Sequence, residues 1–104
     1  MQLILKDDTI IEIMECDLPE VYTWNQAVTL CQLIGTNWRL PTIDEIQKIY
    51  SKKEEFRFAN WGYWAYWTCN EINIESATCF SGPNGAIFNE KKEAKFHIRP
   101  VKSI

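Results

Sequence analysis

The sequence is poor in the residues that carry chemistry. It has one histidine, His97, and its four cysteines, Cys16, Cys31, Cys69 and Cys79, contain no Cys-x-x-Cys pair. Structural zinc sites group their ligands in close pairs, so this spacing argues against zinc. No nucleophile elbow, phosphate loop or metalloprotease motif is present. The acidic pairs Asp7-Asp8, Asp44-Glu45 and Glu54-Glu55 are sequence neighbours. Neighbours point in different directions in a strand or helix, so none is a facing acid–base pair. Basic residues are in the minority, 11 against 14 acidic, for a net charge of −3. That excludes sequence-independent nucleic-acid binding, which needs a basic surface. The N-terminal apolar run is only Leu3, Ile4 and Leu5, far short of the roughly 20 residues that span a bilayer. No membrane insertion is expected. No secretory signal is visible, so the chain as it stands reads as cytoplasmic, and as extracellular or surface-bound if a leader precedes it.

What is abundant is aromatic. Five Trp, four Tyr and five Phe stand in 104 residues, and Trp61, Trp64 and Trp67 crowd one short stretch. The length suits one domain, residues 1–104. A hydrophobic share of 46% beside 24% charged residues is an ordinary globular balance, which excludes wholesale disorder, collagen and a simple coiled coil.

The pattern along the chain is strand, helix, helix, then several strands. Residues 3–13 read as two short strands about an Asp7-Asp8 turn. Thr23-Trp-Asn-Gln26 is a capping box, and the helical spacing of Trp24, Ala27, Val28, Cys31 and Ile34 predicts a helix over 24–34 ending at Gly35. Thr42-Ile-Asp-Glu45 is a second capping box after Pro41, and predicts a helix over 43–52. Residues 63–69, 77–80 and 86–88 read as strands, 82–85 and 89–93 as turns, and 94–101 as a last strand. This order is α+β with antiparallel sheets. Cys69 and Cys79 could face each other across a hairpin, which makes them the first disulfide to test; free buried thiols are the simpler reading.

These residues resemble a family. Trp24 and Ala27 open the helix that carries Cys31, Trp38-Arg-Leu-Pro-Thr42 precedes Glu45, Tyr66-Trp67-Thr68 precedes Glu71, and Ile98-Arg-Pro-Val-Lys102 closes the chain. The series resembles the DUF1566 domain, also described as the C-terminal domain of Legionella collagen-like protein, over about residues 22–102. The resemblance implies a C-type lectin-like fold: two helices flanking small antiparallel sheets, with the N- and C-terminal strands adjacent. It also implies a structural role for Trp38, Arg39, Pro41, Thr42, Glu45 and Trp67. Relatives often carry a last-strand cysteine that pairs with the helix cysteine; here that segment has Pro100 and none. Sugar-binding C-type lectins hold calcium with an acidic or amide residue before Pro-Asn, and Gly82-Pro-Asn84 lacks it. Formylglycine-generating enzymes resemble the chain at Arg39-Leu-Pro-Thr42, yet Cys69 and Cys79 do not match their close cysteine pair.

The expected function is therefore a non-enzymatic binding module without a cofactor, taking a protein or glycan ligand without calcium. Its expected surface is the loops 58–63, 70–76 and 82–85, with Trp61, Tyr63, Asn70, Glu71, Asn73 and Asn84 as ligand-binding residues. Trp61, beside Asn60 and Gly62, is the expected aromatic anchor, so its removal should leave stability nearly intact. Trp64 and Trp67 are expected in the core. The alternatives are an assembly component of a surface or phage complex, or an enzyme with Cys69 or Cys79 reactive.

Overall fold

A computed structural model describes residues 2–55, 61–62 and 65–104. Tyr63, Trp64 and residues 58–60 of the expected loop lie outside the described residues. The element order is β1 (Gln2–Ile4), β2 (Ile10–Ile13), α1 (Trp24–Ile34), β3 (Trp38–Arg39), α2 (Ile43–Ser51), a 3-10 turn (Lys53–Glu55), β4 (Ala65–Glu71), β5 (Ser76–Ser81), β6 (Ile87–Lys91) and β7 (Val101–Ser103). Two antiparallel sheets result, ordered β1-β2-β7-β3 and β4-β5-β6. β2 pairs with β7, so the strands from the two ends of the chain are adjacent, as the resemblance implied.

Both helices begin where their caps stand. The Thr23 hydroxyl accepts from the Gln26 amide while Gln26 Oε1 accepts from the Thr23 amide, at 3.3 and 3.0 Å. Thr42 and Glu45 repeat the arrangement at 3.1 and 2.8 Å. Each box satisfies amides that a helix start otherwise leaves unpaired.

β4 separates two cores. Tyr66 faces Leu3, Ile11, Ile13, Ile46, Ile49, Phe80 and Val101. Its neighbours Ala65 and Trp67 face Ala27, Cys31, Leu40, Ala77, Cys79, Phe96 and Ile98. Alternation along a strand sends adjacent side chains to opposite faces, and here both faces are buried. Trp67 is fully enclosed, and its indole N–H donates to the Tyr22 carbonyl at 2.7 Å.

Three readings need correction. The segment after residue 88 is not a turn from 89: β6 continues to Lys91, with Asn89, Glu90 and Lys91 opposite Thr78, Ala77 and Ser76. Its polar composition reflects an outer strand facing water. The last strand is not continuous over 94–101. Phe96 bridges Tyr22, His97 bridges Tyr66, and only from Val101 does the chain pair with β2 and β3. This stretch passes from one sheet to the other, and Pro100 has no N–H to donate to a ladder. Trp38–Arg39, which stands between the two predicted helices with no strand expected there, is a short strand on β7.

Trp61 is the fourth correction. It is half-buried against the first core, with ring centroids 4.8 Å from Tyr66, 5.5 Å from Tyr50 and 6.5 Å from Phe80. The chain at Trp61 presses so close to β5's exit that a Cβ on Gly82 would sit 2.6 Å from the Trp61 carbonyl oxygen. Its ring packs as core rather than standing out as an anchor. Trp61→Ala is therefore expected to cost about 3 kcal/mol of stability by chemical denaturation, the range for emptying an aromatic site. A loss under about 0.5 kcal/mol, the size of an ordinary surface change, would return Trp61 to the surface.

Candidate functional site

The residues of the Trp-Arg-Leu-Pro-Thr segment serve the fold. Arg39 grips Glu45 with both terminal guanidinium nitrogens, at 2.7 and 2.8 Å, and also donates to the Leu40 carbonyl and the Ser103 hydroxyl. This fork ties β3 to α2 and to β7. Burial alone would raise the Glu45 pKa, but the bonds from Arg39 and the Thr42 amide outweigh it and leave the carboxyl below its usual value. The carbonyl of Pro41 accepts from the Cys69 amide at 2.9 Å, fixing β4 beside the start of α2. Trp38 is half-buried with the Lys102 ammonium 5.2 Å from its ring centre.

Of the six residues expected to bind a ligand, the five described ones divide between two ends of β5. Asn84 lies in the β5–β6 turn, on the side of Trp61, and its Oδ1 accepts from the Ala86 amide at 3.0 Å. Asn70, Glu71 and Asn73 lie at the other end, in β4 and its turn into β5. The intervals between the six strand residues, ~3.3 Å each, put about 17 Å of β5 between those turns. One small ligand does not bridge them. Tyr63 lies outside the described residues.

At the Asn70 end the structure does gather a surface. Asn73 Oδ1 accepts from the amides of Glu75 and Ser76 at 2.8 and 2.9 Å, and the Ser76 carbonyl accepts from Ile72 and Asn73. These bonds make the turn a fixed shape. Asn70 Nδ2 donates to the Thr78 hydroxyl at 2.8 Å, which in turn donates to Asn89 Oδ1, linking all three strands. Glu71 pairs with the Lys92 ammonium, which also lies 4.5 Å from the Trp24 ring centre. The turn so held displays Ile72 and Ile74, which are 46% and 88% exposed. At its base a groove of about 430 Å³ is lined by Thr42, Ile43, Asp44, Cys69, Asn70 and Glu71. The sequence reading missed the two isoleucines. Their signal was the Ile-Asn-Ile run inside a polar connection, where an apolar residue has no core to enter.

The cysteines are unpaired thiols: Cys31 and Cys79 are buried, Cys16 and Cys69 exposed. The Cys69–Cys79 disulfide is not formed, because Cys79 stands opposite Trp67 and a bulge shifts the register before Glu71. Burial pushes the Cys31 thiol up to about 11 and Cys79 up to about 12, and raises Cys69 as well. A reactive cysteine needs the opposite shift. Among the described residues, no group of three or more His, Cys, Asp or Glu is placed to hold a metal ion. No described helix is long and apolar enough to cross a membrane.

His97 sits mid-segment with its ring centre 5.8 Å from that of Tyr66, and its Nδ1 is buried without a hydrogen-bond partner. Burial lowers its pKa below the ordinary value, and the nearby Asp17 charge offsets this only in part.

Comparisons with known proteins agree with this architecture. A family model described as the Lcl C-terminal domain matches residues 7–102. A chain from the complex of a von Willebrand factor A1-domain mutant with botrocetin superposes with a TM-score of 0.62. The two share 8% identity, and the match covers 92% of this chain and 91% of that one. At that identity the likeness concerns the fold, an α+β arrangement compatible with the C-type lectin-like architecture of botrocetin. No curated protein matches the chain in sequence.

The His97 environment sets a pH dependence. Its folded pKa lies below its unfolded pKa, so the contribution to stability is present above about 6.5 and is lost as pH falls through the folded value. The midpoint of thermal unfolding should fall between pH 7 and pH 5.5, and His97→Gln should flatten that fall. An equal slope in the variant would remove His97 as the cause.

Proposed function

Because the chain belongs to the Lcl C-terminal domain family, we propose that it is a non-enzymatic binding module that takes its ligand without calcium. The observation that carries this reading is the hairpin at residues 70–76, held rigid by Asn73 and presenting Ile74 almost wholly to water. An ordered turn that exposes apolar side chains inside a rim of Asn70, Glu71 and Glu75 has the composition of a contact patch: an apolar centre, polar edges and little entropy to lose. Isoleucine offers an apolar knob and no aromatic face. Sugars stack on aromatic faces, so the patch favours a protein over a glycan. The structural neighbour comes from a complex of two proteins, which accords with that preference.

Calcium needs six to eight oxygen ligands. The 82–85 turn supplies Asn84, whose side-chain oxygen is already engaged with the Ala86 amide. The non-enzymatic part of the reading is supported by the thiols that the enzyme alternative would need: burial raises the pKa of Cys79 and also that of the exposed Cys69, which disfavours the thiolate a cysteine enzyme uses.

Intrinsic tryptophan fluorescence, titrated with a panel of glycans and candidate proteins with and without a calcium chelator, tests this reading. The expected response comes from a protein, is unchanged by the chelator, and weakens at least about tenfold in Ile74→Glu, a change of ~1.4 kcal/mol. A calcium-dependent sugar response, or full binding by the variant, would contradict it.

A further inference from the structure

The β4-β5-β6 sheet has one edge closed and one open among the described residues. At the β4 edge the Trp67 amide donates to the His97 carbonyl at 3.0 Å and the His97 amide to the Ala65 carbonyl at 2.9 Å. At the β6 edge no described strand lies alongside. We propose that this β6 edge is a docking site for an extended segment of a partner protein, which adds to the sheet as a fourth strand.

The bonding pattern fixes which backbone groups are on offer. The Ser81 amide donates to the Ala86 carbonyl, and the Lys92 amide to the Glu75 carbonyl, each at 2.8 Å. An antiparallel ladder alternates, so Phe88 and Glu90 face β5 with their backbone groups while Ile87, Asn89 and Lys91 turn theirs outward. Lys91 is already occupied: its amide donates to the Glu90 carboxylate at 3.2 Å and its carbonyl accepts from Ala94 at 3.0 Å. Among the described residues the amides and carbonyls of Ile87 and Asn89 have no such partner, and both residues are exposed. Two consecutive outward rungs at ladder spacing match another β-strand and little else.

The side chains narrow the occupant. Ile87, Asn89 and Lys91 share one face of β6, and all three are exposed. A complementary strand therefore carries an apolar residue against Ile87, a hydrogen-bonding residue against Asn89 and an acidic residue against Lys91. A second copy of β6 does not supply this. Two-fold pairing about Asn89 would set Ile87 of each chain against Lys91 of the other, an apolar group against a charge. The Lys91 end of this edge abuts the 70–76 hairpin, where Lys91 stands opposite Ser76, but the open backbone rungs lie at Ile87 and Asn89, so the peptide N-methylation below and Ile74→Glu probe the two surfaces separately.

The test uses the full chain, labelled with nitrogen-15, and a capped peptide Thr-Glu-Thr-Thr-Thr-Val-Thr in antiparallel sense. Binding is expected to shift the Ile87 and Asn89 amide signals and slow their deuterium exchange. N-methylating the central threonine and the valine, the residues that face β6, should weaken binding at least about tenfold, whereas methylating the threonines on either side of the central one should not. Lys91→Glu should weaken the same peptide and favour its counterpart with Lys in place of Glu. Equal binding by the two methylated peptides, shifts confined to other residues, no binding, or self-association through β6 in sedimentation would each overturn the proposal.

Discussion

A buried ion pair organises this protein. Asp17 and Arg99 are both enclosed, and the Asp17 carboxylate accepts from Arg99 Nε at 2.7 Å and from the Tyr66 hydroxyl at 2.5 Å. Arg99 also donates to the Met14 carbonyl at 2.9 Å. The partners come from residues 82 and 49 positions apart. Taking two charges out of water costs several kcal/mol each, and that cost is offset only where geometry and further hydrogen bonds satisfy both. The fold has to bring the loop after β2, the start of β4 and the segment before β7 to one point.

The rest follows from that junction. The loop after β2 lies along the approach to β7, with the Met14 amide on the Pro100 carbonyl and the Leu18 amide on the Ile98 carbonyl, both at 3.1 Å. This sets β2 beside β7 and brings the first and last strands into one sheet. The Tyr66 hydroxyl holds β4 so that Tyr66 enters one core and Trp67 the other. The Arg39–Glu45 fork then fastens α2 and β3 to the terminal sheet. The two proposed recognition surfaces, the hairpin at 70–76 and the outer edge of β6, lie outside this interior.

Local signals in the sequence were legible because local chemistry decides them. The capping boxes at Thr23 and Thr42 placed both helix starts correctly, since each depends on residues three apart. The run of strand formers from Ala65 to Cys69 was legible for the same reason. The Asp17–Arg99 pair was not legible: Asp17 stands in a loop-like Asp-Leu-Pro run, and no spacing rule links residues so far apart. Nor was the burial of Trp61, because its neighbours Asn60 and Gly62 suit a loop while packing against Tyr50, Tyr66 and Phe80 is a long-range matter. The motif residues that identify the family, Trp24, Arg39, Glu45, Tyr66, Trp67 and Arg99, all have structural partners. They announce the fold and are silent on the ligand. The proposed binding surface was half legible, since the polar 70–76 connection stood out while its exposed isoleucines did not.

Equilibrium unfolding of Asp17→Asn beside the double replacement Asp17→Leu with Arg99→Met tests the central claim most directly. Removing one partner strands the other charge in the interior, so Asp17→Asn should lose roughly 3–5 kcal/mol or fail to fold, while the apolar double replacement should recover most of that loss. A single variant within about 0.5 kcal/mol of the parent, the range of an ordinary surface change, would show that the ion pair is not what the fold depends on.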